Sequence, residues 1–103
     1  MKYTYLQKLF RVYFETHSPI NSDNPYANIN EVLCDFIESE EAHSILGEIN
    51  EILTLSDDKK VFETLKENHL NIDIHARSWG SFSDAKSFLR YVKDYITEEI
   101  DLG

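Results

Sequence analysis

Asn28-Ile29-Asn30-Glu31-Val32-Leu33-Cys34-Asp35-Phe36-Ile37-Glu38-Ser39-Glu40-Glu41-Ala42-His43-Ser44-Ile45-Leu46-Gly47-Glu48-Ile49-Asn50-Glu51-Ile52-Leu53 is the stretch that decides the fold. Ile29, Val32, Leu33, Phe36 and Ile37 recur at three- and four-residue steps, the period of one helix face. Ala42, Ile45, Leu46, Ile49, Ile52 and Leu53 repeat the pattern after a break at Ser39. Asn28 with Glu31 has the spacing of a capping box, and Ser39 followed by Glu40 and Glu41 places a cap and two acids where the positive end of a helix favours them. Two amphipathic helices with a short link are expected, packed as antiparallel neighbours. Gly47 interrupts the second at a cost of about 1 kcal/mol relative to Ala, so a close helix contact is expected there.

Working outward, Leu6, Leu9, Phe10 and Tyr13 keep helical spacing, with Tyr5, Val12 and Phe14 widening the stripe. This predicts a helix over residues 3–16, ended by His17-Ser18-Pro19. Ser18 to Ala27 is a run of turn formers in which Pro19 and Pro25 oppose helix in the residue before them. It reads as a loop, with Ile20 or Tyr26 attached to the core. Ser56-Asp57-Asp58 opens a fourth helix carrying Val61, Phe62 and Leu65, and Ser83-Asp84 opens a last one carrying Ala85, Phe88, Leu89, Val92, Tyr95, Ile96 and Ile100. Between them Leu70, Ile72 and Ile74 alternate like a strand, but a single short run has no partner strand. Residues 69–82 are therefore expected as an extended connection, with Trp79 and Phe82 closing over the core. No internal repeat is present. The expected architecture is all-α: one domain over 1–103, a bundle or irregular array of about five helices.

The composition supports one ordered core. A chain of 103 residues with 42% hydrophobic and 13% aromatic residues has enough apolar surface to offset chain entropy. The single cysteine, Cys34, cannot form an internal disulfide, and is expected on the apolar side of its helix in a reducing compartment. Thr4, Gln7 and Lys8 interrupt any apolar run near the N-terminus, so neither a signal-peptide core nor a membrane span is expected, and the chain reads as cytoplasmic.

Ten Lys and Arg stand against nineteen Asp and Glu, a formal charge of −9. Such a balance disfavours nucleic acid and anionic lipid as direct partners and favours a basic one. The charge is also uneven. From Val12 to Asp58 there are eleven acids and no Lys or Arg, whereas the remaining residues hold all ten cations and eight acids. Glu31, Asp35 and Glu38 are spaced i, i+4, i+7, and Glu41, Glu48 and Glu51 form a similar column with Ser44 in the gap. If the two helices are antiparallel neighbours, the columns form one acidic surface opposite the core. They are either ordinary solvated faces of amphipathic helices or a surface for a basic partner; ordinary faces mix signs, and here no Lys or Arg relieves the columns.

Signals for chemistry are sparse. Glu40 and His43 make a Glu-x-x-His pair, but a di-iron site needs a second copy and further carboxylates. His17, His43, His69 and His75 have no zinc-site spacing, and one cysteine cannot make a thiolate cluster. No phosphate-binding glycine loop or nucleophile elbow is present. Neither a metal, a cofactor nor a catalytic role is expected. His75, Arg77 and Trp79 sit together on an expected loop: either a polar and aromatic cluster that contacts a partner, or a core lid with solvated neighbours.

Tyr5-Leu6-Gln7-Lys8-Leu9-Phe10-Arg11-Val12-Tyr13-Phe14 resembles the opening helix of a family of contact-dependent growth inhibition immunity proteins, with a Leu-x-x-Leu-Phe-x-x-Tyr-Phe pattern matched by Leu6, Leu9, Phe10, Tyr13 and Phe14. The resemblance continues more loosely through Glu48-Ile49, Ile52-Leu53, Ser56-Asp57 and Phe88-Leu89. Family members often carry Asp-Trp after the Tyr-Phe pair; here Thr16-His17 stands there, so no particular toxin is indicated. The resemblance implies a cytoplasmic protein that binds and neutralises a toxin domain delivered by neighbouring cells, many such domains being nucleases with basic grooves. An acidic helical surface would occupy such a groove. The residues expected to meet the partner are Asp23, Tyr26, Glu31, Asp35, Glu38, Glu41, Glu48, Glu51, His75 and Trp79, with Tyr26 and Trp79 as aromatic anchors. The alternative is an acidic helical adaptor or regulatory module unrelated to toxins.

Overall fold

A computed structural model describes residues 3–102, and the side chains of residues 3–100. The helices are α1 (Thr4–Lys8), which runs directly into a π-helical segment (Leu9–Phe14), α2 (Ala27–Ile37), α3 (Ala42–Leu53), α4 (Asp58–Glu67) and α5 (Ala85–Leu102), with a 3-10 turn at Arg77–Trp79. No strand occurs among the described residues, and the fold is all-α.

The apolar stripe of α5 is the axis on which the other helices are arranged: α2, α3 and α4 all pack against it. Ala85, Phe88, Leu89, Val92 and Ile96 are fully enclosed, and they join Ile29, Leu33, Phe36, Ile45, Ile49, Ile52, Val61 and Leu65 in one contiguous core. Leu70, Ile72 and Ile74 of the connection also turn inward, and Trp79 and Phe82 close over the core as expected. Gly80 makes that closure possible. It sits at φ +97°, and a Cβ there would lie 2.5 Å from the Phe82 ring.

The first helix departs from regular geometry. Glu15 N–H donates to the Phe10 carbonyl at 3.0 Å, an i→i+5 bond, so the turn is widened through Leu9–Phe14. Leu6, Leu9, Phe10 and Phe14 point inward, but Tyr5 and Val12, expected to widen the apolar stripe, are 38% and 48% exposed. The first helix lies across both members of the α2/α3 pair: α1 packs on α3 and the π segment packs on α2. Consequently α2 and α3 share no extensive contact, and the expected antiparallel pair is not formed.

Two expected caps are also replaced. Asn28 lies inside α2 and is buried, so it makes no capping box with Glu31; the chain enters α2 through an Asx turn in which Asn24 Oδ1 accepts from Tyr26 N–H at 3.0 Å. Ser39 bonds back to the Phe36 carbonyl at 2.6 Å and closes α2 instead of opening α3. Asp57 and Asp84 do cap, accepting from Lys59 N–H at 3.0 Å and Ser87 N–H at 2.7 Å. Asp58 serves a distant helix start as well, accepting from Ala85 and Lys86 N–H at 3.2 and 3.0 Å. Gly47 is exposed and a Cβ there would meet nothing within 4 Å, so it serves no close packing. No helix among the described residues is long and apolar enough to cross a membrane.

Candidate functional site: the acidic outward face of α2

Glu31, Asp35 and Glu38 stand on the side of α2 that faces away from Ile29, Val32, Leu33 and Phe36, and all three are exposed. Asp35 and Glu38 make no ion pair among the described residues, and Glu31 has one neighbour of potential positive charge, His17, whose Nε2 lies 3.8 Å from its carboxylate. Cys34 belongs to this face. Expected on the apolar side, it is exposed, because it follows Glu31 by three residues and precedes Glu38 by four, which puts it in the acidic column. His17, Glu31, Cys34 and Asp35 line a shallow depression of about 320 Å³.

The face is rigidly backed. Asn28, one turn earlier and 3% exposed, accepts from Ile20 N–H at 2.7 Å through Oδ1 and donates through Nδ2 to the Ser78 carbonyl at 3.0 Å and the Ile20 carbonyl at 3.3 Å. Those three bonds fix which amide atom is oxygen. His17 Nε2, 3.0 Å from the same Oδ1, must therefore carry a proton, which sets its tautomer when the ring is neutral. One buried amide thus ties the 17–20 loop and the 3-10 turn to the start of α2. At the other side Tyr91 Oη donates to Asn30 Oδ1, joining α2 to α5, and burial raises the Tyr91 phenol above its ordinary pKa.

The α3 acids have other duties. Glu48 accepts from Leu6 N–H at 2.7 Å and Tyr5 N–H at 3.3 Å, so its carboxylate caps the first helix. Glu41 takes a hydrogen bond and ion pair from Lys8, which holds its carboxyl below the ordinary value and raises the lysine. Glu51 is exposed on the same helix. The two columns therefore do not merge: the first helix covers two of the three α3 positions and leaves the α2 positions open.

The remaining expected partner residues scatter. Asp23 is exposed on the loop before α2, its carbonyl accepting from Arg77 Nη2 at 3.4 Å. Tyr26 is half-buried and stacks on Tyr91 at 4.8 Å between ring centres, so it faces the helix interface and not open solvent. Trp79 is 8% exposed and packs against Phe14 and His17, a core lid and not a surface anchor. His75 turns away from both, its Nδ1 donating to the Phe82 carbonyl at 2.7 Å and its ring stacking on Phe62. His75, Arg77 and Trp79 thus do not converge. Among the described residues no group of three or more His, Cys, Asp or Glu is placed to hold a metal ion.

The residues of the opening-helix motif divide in the same way. Leu6, Leu9, Phe10 and Phe14 are core and Tyr13 packs edge-on against Phe36, so the motif specifies how the first helix is seated and contributes little to any outer surface. Compared with known proteins, the chain matches no family model, no curated protein and no solved structure.

Proposed function

We propose that this chain is an immunity protein that binds and neutralises a cognate contact-dependent growth inhibition toxin domain, a nuclease, inside the cell that makes both. The opening-helix motif supports the role, and the charge pattern supports the mechanism. Occlusion is enough: an acidic helical surface seated in a basic groove excludes a polyanionic substrate, and no bond need be made or broken. The observation that carries the reading is the outward face of α2, where Glu31, Asp35 and Glu38 are exposed within a 47-residue stretch that contains no Lys or Arg. Charges so placed steer a basic partner to rapid encounter, and close pairs across such an interface contribute about 1.5–7 kcal/mol each. The rigid backing of α2 supports the same reading, because a surface already ordered loses little freedom on binding.

The test is a protection assay. The C-terminal domain encoded by the adjacent large exoprotein gene is expressed in cells with and without this chain, and with a variant carrying Glu31→Lys, Asp35→Lys and Glu38→Lys. Growth rescued by the natural chain and lost with the soluble variant is the expected result. Killing that continues despite soluble expression of the natural chain would turn the assignment to the acidic adaptor, which uses the same face on a basic partner unrelated to toxins.

A further inference from the structure

A cavity of about 250 Å³ opens between the loop that precedes α2 and the 3-10 turn, with Ile20, Asn21, Ser22 and Asn24 on one wall and Arg77 and Ser78 on the other. The buried Asn28 amide holds the walls in register, because it binds the backbone of Ile20 on one side and that of Ser78 on the other. The cavity is thus formed before any ligand arrives. Its chemistry is one-sided. Asn24 Oδ1 and Ser22 Oγ already accept, from Tyr26 N–H at 3.0 Å and Asn24 N–H at 3.1 Å, which leaves the Asn24 amide nitrogen and the Ser22 hydroxyl proton to donate. The Asn21 amide and the Ser78 hydroxyl make no hydrogen bond among the described residues. Arg77 is exposed, and its guanidinium makes one bond, from Nη2 to the Asp23 carbonyl at 3.4 Å, and no ion pair among the described residues. In a chain with nineteen acids, no carboxylate lines this cavity, and Arg77 is the charged residue in its wall.

We propose that this cavity binds a carboxylate group, held by the Arg77 guanidinium with the Ser22 and Ser78 hydroxyls and the Asn21 and Asn24 amides as neutral donors. Size excludes larger ligands. Cavities that take drug-sized molecules and cofactors measure roughly 300–1,000 Å³, so this one suits a single acidic side chain, a chain end or a small free acid. Charge selects among oxyanions. One guanidinium matches the single charge of a carboxylate, and its planar fork matches the two coplanar oxygens. A phosphate group carries about 1.5 to 2 negative charges at pH 7, and the excess would stand unpaired in a chain of net charge −9. Asp23 offers Arg77 its carbonyl, and its own carboxylate stands outside the lining, where it weakens the attraction without filling the site. Asn28 lies one turn before Glu31 on α2, so a carboxylate bound here is read beside the acidic face and with the opposite sign.

The test needs only the purified protein and small carboxylates, so its outcome is independent of the toxin assignment. Acetate, the α-amide of N-acetyl-glutamic acid and N-acetyl-alanine stand for a free acid, an acidic side chain and a chain end, and each is titrated into isotope-labelled protein at constant ionic strength. Saturable shifts of the Arg77 Nε–H and of the Ser22 and Ser78 backbone amides are expected at millimolar concentrations, and the probe that saturates first identifies the source of the carboxylate. Arg77→Gln should weaken binding by at least about tenfold, the scale of one lost charge pair, with the helical circular dichroism unchanged. Asp23→Asn should tighten it about twofold by removing a like charge. Arg11→Gln, which removes an equal charge from the first helix, should leave it unchanged. Absence of saturation by all three probes overturns the proposal. So does inorganic phosphate that binds more tightly than every carboxylate, and so does an Arg77→Gln variant that binds as the natural chain does.

Discussion

Acids at helical spacing run along α2 to its C-cap Glu38 and along α3 from its N-cap Glu41, and the fold uses the two columns in different ways. On α3, Glu48 closes the start of the first helix, and Glu41, at the N-cap of α3, is held by Lys8. On α2, Asp35 and Glu38 are exposed and unpaired among the described residues. The difference arises from where the first helix lies. Its α-helical half rests on α3, where its free N–H groups and Lys8 find carboxylates, and its π-helical half rests on α2 through Tyr13 and Phe36, inside the acidic column. An acidic column can thus be a structural device on one helix and an open surface on the next, and burial and partners separate the two where periodicity does not.

Charge reversal on α2 probes the contrast with the largest expected effect. The Glu31→Lys, Asp35→Lys, Glu38→Lys variant should lose several kcal/mol of partner affinity, following the roughly 1.5–7 kcal/mol of a close charge pair, while its unfolding midpoint stays near that of the natural chain. Equilibrium binding together with urea unfolding checks both halves. Affinity left intact would remove α2 from the interface.

Glu48→Lys should behave in the opposite way. It removes an acceptor from two N–H groups and puts a cation at the positive end of a helix, so a loss of about 2 kcal/mol in stability is expected, with little direct effect on partner contacts. A midpoint unchanged in urea would show that the α3 carboxylate is as dispensable as those on α2.

A third carboxylate sharpens the comparison through pH. Asp84 is held below its ordinary pKa by hydrogen bonds from Ser87, side chain and backbone. A lowered folded-state value means that its stabilisation is fully present above the unfolded value of about 3.9 and is lost as pH falls through the folded one. Asp84→Asn keeps an equally good cap, so stability at pH 7 should change by no more than about 0.5 kcal/mol, while the loss of stability below about pH 4 becomes shallower. Thermal unfolding measured from pH 2 to pH 7 gives both readings; an unaltered acid limb would mean that Asp84 titrates alike folded and unfolded.

The smallest expected effect is a gain. Gly47→Ala meets no neighbour and removes the helix-interior penalty of glycine, so it should stabilise by about 0.5–1 kcal/mol, raising the midpoint without affecting either face. A lower midpoint would imply that the glycine is needed for a contact absent from the folded chain described above.

Much of the fold is legible in the sequence because burial repeats with the helix period. The inward residues of α2 to α5, the caps Asp57 and Asp84, and the role of Trp79 and Phe82 over the core all follow from local pattern. Two departures, at Asn28 and at the aromatics Tyr26 and Trp79, originate in longer-range choices. Asn28 next to Glu31 has the spacing of a cap, but a buried amide there satisfies the Ile20 and Ser78 backbone, and Ser78 is fifty residues away. Cys34 departs for a local reason: its chemistry favours the core, but three residues after Glu31 and four before Glu38 it falls in the acidic column. Tyr26 and Trp79 are aromatics near loops that find ring partners within the molecule. No local signal marks Glu48 as a cap for a helix more than forty residues earlier.

The sequence by itself therefore determined five helices, one core and an acid-rich middle free of Lys and Arg, because each of these depends on local spacing or on composition. Only the tertiary structure decided which acids remain at the surface. The i, i+4, i+7 pattern puts carboxylates on the side of a helix opposite its core, but whether that side meets water or another helix depends on how the first helix is laid across α2 and α3, and that is set by packing between segments far apart in the chain.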